Sequence, residues 1–305
     1  MKYKIDKELE MIAKFKIPMQ PKLLPLMNKV VSLMQCKPDE QVDVKKIKIP
    51  GYQGADLSAL IVEPRHCDEV LPCMVIFHGG GFMLKASTAH YQLIKEYAAK
   101  VPCRVVYVDY RLAPEYPFPI PVEDCYATYE WVLKHVKKLR IDSERIAISG
   151  DSAGGNLAAA VTLMARDRGL PLPAGALLVY PVTDRRMITE SMQQFTDTPV
   201  WDARLSNMMW DCYLGKQQPE HIEYASPMEA ESLEGFPPTY MEVAEYDCLH
   251  DEGIALLKRI KETGAETELH EVKNSCHGYE TAVNSMITRA CMECRLEWLG
   301  RLITK

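Results

Sequence analysis

The chain has 305 residues, a net charge of −6 and a sequence pI near 5.8. That balance leaves no basic field with which to hold nucleic acid. With 47% hydrophobic residues it can bury a parallel sheet in one large domain with an accessory cap. No stretch approaches the about 20 apolar residues of a membrane span, and neither an internal repeat nor a low-complexity tract is present.

The first residues, Met1-Lys2-Tyr3-Lys4-Ile5-Asp6, contain no apolar signal run, and the ten cysteines are scattered in spacing. A reducing, cytoplasmic setting without disulfides is the expectation. Ile5, Leu9, Ile12 and Phe15 fall at helical spacing, which predicts an amphipathic helix. A membrane-surface role for that lysine-bearing helix is the less favoured reading.

Next comes an apolar strand, Cys73-Met74-Val75-Ile76-Phe77, followed by His78-Gly79-Gly80-Gly81. Three successive glycines let backbone N–H groups turn inward with no side chain in the way. Gly79 and Gly80, with the N–H of Ala153, are therefore candidate donors to a developing oxyanion. A flexible loop would be the reading if the run stood alone. Phe82 is a candidate substrate contact beside it. The apolar runs at 104–108 and 176–180 alternate with helical patterns, as a parallel α/β sheet requires. The basic cluster from Lys134 to Arg140 closes a helix C-terminus.

The central stretch carries most of the chemistry. A buried-strand run, Arg145-Ile146-Ala147-Ile148-Ser149-Gly150, passes through Asp151-Ser152-Ala153-Gly154-Gly155 into an alanine-rich helix. Ser152 thus sits on a sharp strand-to-helix turn, exposed, with the positive end of a helix behind it. The bland alternative is a glycine turn with Ser152 as an ordinary N-cap. Asp151 joins the candidate substrate contacts.

Between residues 185 and 224 lies a segment rich in Met and aromatics, with Trp201, Met208, Met209, Trp210 and Tyr213. It is too long for an ordinary connection, and with the N-terminal residues it would cap the serine. Trp201 and Trp210 are candidate substrate contacts, although most of these aromatics should pack between cap and core. The expected division is 1–45 N-terminal cap segment, 46–184 core, 185–224 cap insertion and 225–305 core.

A serine needs a base, and the base needs an acid to fix its tautomer. Of the eight histidines, His250, His270 and His277 follow the apolar stretch from Thr239 to Tyr246, and His221 precedes it. His270 lies inside a predicted strand, Thr267-Glu268-Leu269-His270-Glu271-Val272, and His250 opens a helix through Asp251-Glu252-Gly253. His277 follows the strand in a turn ending at Gly278, so it is the chosen base. Asp247, at a strand end, is the chosen acid, since Asp251 and Glu252 read as first-turn helix residues. Cys248 and Cys276 flank these two residues. Oxidation there would distort the site, but inert buried thiols are the favoured reading. Cys291 and Cys294 lack a second ligand pair, so no metal and no cofactor is expected.

Four motifs are specific as a set: His78-Gly79-Gly80-Gly81, Asp109-Tyr110-Arg111-Leu112-Ala113-Pro114-Glu115, Gly150-Asp151-Ser152-Ala153-Gly154-Gly155, and Asp247 to Gly253 with His277-Gly278. With them the chain resembles the α/β-hydrolase fold and, within it, the hormone-sensitive-lipase-like esterases. The resemblance implies a mostly parallel sheet flanked by helices under a helical cap. It also implies Ser152 as nucleophile, His277 as base and Asp247 as acid. The chain departs from the family pattern at Cys248, where proline is common, and at Tyr279, where phenylalanine is common. The expected activity is hydrolysis of short-to-medium acyl esters through an acyl-enzyme, with a small-molecule ester as partner and a homo-oligomer left open. Deacetylation or amide hydrolysis with the same residues, and a non-catalytic ligand receptor on the same fold, are the alternatives.

Overall fold

The computed structural model describes residues 2–14, 20–217 and 219–303. Eight strands form one sheet: β1 (Val42–Pro50), β2 (Asp56–Pro64), β3 (Leu71–Phe77), β4 (Arg104–Asp109), β5 (Ile141–Asp151), β6 (Gly175–Val179), β7 (Thr239–Tyr246) and β8 (Thr267–Cys276). Their spatial order is β1-β2-β4-β3-β5-β6-β7-β8. The β1/β2 and β2/β4 pairs are antiparallel, and every later pair is parallel. β1 begins at Val42, inside the stretch that the sequence groups with the cap.

Ten α-helices accompany the sheet among the described residues. They are α1 (Glu10–Ala13), α2 (Leu24–Val31), α3 (Thr88–Lys100), α4 (Ile120–Lys134), α5 (Val136–Leu139), α6 (Ala153–Asp167), α7 (Glu190–Gln194), α8 (Ala203–Leu214), α9 (His250–Glu262) and α10 (Met286–Ile303). The basic cluster spans the ends of α4 and α5, which stops at Arg140 in the left-handed region. Near the N-terminus, Ile5 and Leu9 are buried and Ile12 is half-buried. Phe15 lies outside the described residues.

The pleat sends alternate strand residues to opposite faces, and each face has its own apolar core. Val75 and Phe77 of β3, with Ile146 and Ile148 of β5, join the cluster that contains α4, α6, α9 and the 185–224 segment. Met74 and Ile76, with Ala147, join the cluster beneath α3 and α10. This two-sided burial explains why the central strands read as continuous apolar runs. Helix α6 is buried from Ala153 to Ala165. Its first turn comes closest to its neighbours, since a Cβ on Gly155 would sit 2.8 Å from the Pro181 side chain.

Candidate active site

Three loops at the C-terminal ends of parallel strands meet above the sheet. Ser152 follows β5 and is the N-cap of α6, with φ 54° and ψ −120°. Its own N–H donates to the Val179 carbonyl (2.8 Å) and its carbonyl accepts from Val182 N–H (3.1 Å), which pins the turn to the end of β6. Close backbone approach makes the flanking glycines necessary. A Cβ on Gly150 would sit 2.2 Å from the Gly154 carbonyl oxygen, and one on Gly154 would sit 2.0 Å from that of Phe77.

Asp247 follows β7, and His277 follows β8 in a turn through Gly278 at φ 71°. His277 Nδ1 lies 2.7 Å from Asp247 Oδ2, and His277 Nε2 lies 2.9 Å from Ser152 Oγ. A carboxylate only accepts, so Nδ1 carries the proton and Nε2 offers its lone pair to the serine hydroxyl. The other carboxylate oxygen accepts the Leu249 N–H at 3.0 Å. All three side chains are buried. The His277 ring lies against Tyr180 (4.5 Å) and near Trp201 (6.0 Å).

The other histidines and acids go elsewhere. His270 stacks on Tyr240 and bonds Glu268, while His250 opens α9 and bonds Asp251. His221 pairs with Glu223. Glu252 is less ordinary than a first-turn helix residue. It is buried, accepts the Thr183 N–H at 2.6 Å, and burial raises its pKa well above the usual carboxylate range.

The glycine turn corrects one expectation. Gly79 N–H donates to Asp151 Oδ1 at 3.0 Å, so that group is already committed and is not free to receive an oxyanion. Gly80 (φ 113°) and Gly81 (φ 61°) instead line the cavity over Ser152. The loop is held from below: Tyr110 O–H donates to the His78 carbonyl, and His78 Nδ1 bonds the Gly79 carbonyl. Burial, then the neighbouring His90, pushes His78 down to about 4, so its Nδ1–H donates as a neutral ring. Half-buried Arg111, from the same motif as Tyr110, pairs with buried Asp124 at 2.7 Å.

The cavity over Ser152 has a volume of about 110 Å³. Trp201 and Asp151 line it, as do Leu84, His90, Val200 and Glu280. Phe82 and Trp210 do not, which corrects two further expectations. Phe82 has φ 60° and turns away, fully buried and stacked on Tyr213 at 3.8 Å. Trp210 packs beside that pair in the cap-to-core contact. Trp201 is held by its indole N–H on Ser206 Oγ (2.9 Å), and Ser206 in turn touches Cys248 Sγ (3.5 Å). Burial pushes the Cys276 thiol up to about 12 and moves Cys248 in the same direction, which is the condition of an unreactive thiol.

Residues 74–281, more than half of the chain, match a family model described as alpha/beta hydrolase fold. The chain belongs to the alpha/beta hydrolase family. Esterase LipI of Mycobacterium tuberculosis is 36% identical to this hydrolase over 242 residues, covering 78% of this chain and 75% of that protein. Carboxylesterase NlhH of the same species is 33% identical over 233 residues, covering 75% and 73%. Among solved structures, a bacterial heroin esterase matches with a TM-score of 0.88 at 32% identity over 98% of both chains.

Two polar features of this alpha/beta hydrolase escaped the sequence reading. His90, near the start of α3, reaches Asp151 at 3.3 Å. Burial lowers the pKa of His90, but the Asp151 carboxylate outweighs it and the net shift is upward. Burial likewise works against the Asp151 charge, and His90 with the Gly79 N–H reverses it, leaving that pKa lowered. The second feature lies behind the cavity, where Arg295 bonds both Glu242 (2.6 Å) and Glu280 (2.7 Å). Tyr279, the departure from the family pattern, donates its O–H to Glu242 and so has a polar partner that phenylalanine would lack.

Proposed function

We propose that this chain is a serine carboxylesterase that hydrolyses short-acyl esters through an acyl-enzyme. The observation that carries the reading is the continuous line of hydrogen bonds from Asp247 through His277 to Ser152, opening on a small cavity. His277 Nε2 takes the Ser152 proton as Oγ attacks the ester carbonyl. The imidazolium that forms is stabilised by Asp247 and returns the proton to the leaving alkoxide. Water then attacks the acyl-enzyme by the same route, releasing the acid and restoring the serine.

The N–H groups of Gly80, Gly81 and Ala153 are the proposed oxyanion donors, with the α6 N-terminus behind them adding a positive potential. Substrate size follows from volume. Drug-sized ligand pockets run to about 300–1,000 Å³, so about 110 Å³ suits a short acyl group under Trp201 and Val200.

The test is hydrolysis of nitrophenyl esters from acetyl to long-chain acyl, with Ser152→Ala alongside. Turnover highest on the short esters and lost in the variant supports the proposal. No turnover on any ester, or equal turnover in the variant, refutes it.

A further inference from the structure

The residue before the nucleophile and the first residue of the glycine turn are tied together, and the tie is itself held by a third group. Asp151 Oδ1 accepts the Gly79 N–H at 3.0 Å, while Oδ2 faces His90 Nε2 at 3.3 Å. We propose that His90 is a positioning residue for the oxyanion turn. It fixes the Asp151 carboxylate, which through Gly79 sets the direction of the Gly80 and Gly81 N–H groups. This inference rests on the oxyanion assignment made above.

His90 is well suited to the role. The Ser87 N–H donates to its Nδ1 at 3.0 Å, which leaves Nε2 as the proton-bearing nitrogen of the neutral ring. The charged ring also bears a proton on Nε2, so a donor faces Asp151 in either state. The ring is rigidly mounted, because the same contact with Ser87 forms the N-terminal capping box of α3. Asp151 needs such a partner. Buried Glu280 shares a small cavity with it and repels its charge, while Arg295 is engaged by Glu280 and Glu242. With His90 removed, one backbone N–H would be left to hold a carboxylate that Glu280 pushes away.

The test compares parent, His90→Leu and His90→Gln in kcat and KM for nitrophenyl acetate. It also measures the Ki of a trifluoromethyl ketone, which forms a tetrahedral oxyanion on the serine. Urea unfolding of each variant serves as the stability control, so that a kinetic change is read only in folded protein. A misaligned donor costs up to about 10²- to 10³-fold. The expectation for His90→Leu is therefore a kcat loss of about 10- to 100-fold and a matching rise in Ki, with KM within about threefold. His90→Gln, whose amide can still donate to Asp151, should recover most of both. A folded His90→Leu with unchanged kcat and Ki would overturn the inference. So would a Gln variant as slow as Leu. Because only ratios to parent are read, absence of turnover in the parent refutes the esterase proposal instead.

Discussion

Replacing Asp247 by Asn keeps the volume and removes the charge, and the surroundings dictate which way the new amide faces. The Leu249 N–H, 3.0 Å from Oδ1, requires an acceptor there. The amide oxygen must take that position, so the NH₂ group lies against His277 Nδ1. Two donors cannot face each other, and the imidazole therefore moves its proton to Nε2, 2.9 Å from Ser152 Oγ. A protonated Nε2 cannot accept the serine proton. The expected loss is about 10⁴-fold in kcat, or about 5.4 kcal/mol of transition-state stabilisation at 1.36 kcal/mol per decade. KM and stability should change little, because the substituted side chain is isosteric and both of its contacts stay paired. Steady-state hydrolysis of nitrophenyl acetate together with urea unfolding checks this. A kcat loss below about tenfold in a folded variant would refute the tautomer argument.

Two stability predictions follow from the packing and the buried charges. Gly154→Ala places a Cβ 2.0 Å from the Phe77 carbonyl oxygen, a backbone atom that cannot swing aside; urea unfolding should show a loss of about 3 kcal/mol or more, and parental stability would contradict the close-packing argument. Glu252 keeps a raised pKa, and its Oε2 has no partner among the described residues while Oε1 accepts from Thr183. The folded state thus holds a proton that the unfolded chain releases above about pH 4.3, so this group's contribution falls as pH rises through that value toward the folded pKa. Glu252→Gln removes the penalty, and unfolding at pH 5 and pH 8 should show the variant gaining on the parent at the higher pH. A constant difference would show that the carboxyl does not retain its proton on folding.

The parallel strands were legible because burial on both faces leaves long apolar runs, as at 73–77 and 239–246. The nucleophile turn was legible because close backbone approach admits only glycine at Gly150 and Gly154. β1 and β2 escaped notice. Lys45, Lys46 and Lys48 interrupt β1, which lies at the sheet edge and buries only part of its surface. Phe82 was misassigned because proximity to a motif says nothing about direction, and it turns away through a positive φ that no pattern encodes; Trp210 was misassigned because an aromatic-rich segment does not say which ring faces the cavity. The role of Gly79 was misread because the acceptor for its N–H is a side chain 72 residues away. His90 carried no signal either: in sequence it is one polar residue in the first turn of a helix.

The order in which the site is assembled has a consequence for biosynthesis. Ser152 and its base are 125 residues apart, and His277 arrives only after β8, the strand at the far edge of the sheet. Synthesis proceeds from the N-terminus at about 5–20 residues per second. The nucleophile elbow and the glycine turn can therefore fold on a nascent chain seconds before their base, His277, can reach them. A ribosome-bound chain that has emerged only as far as β6 holds a serine without its base, and the site is complete only once β8 and the turn after it have emerged.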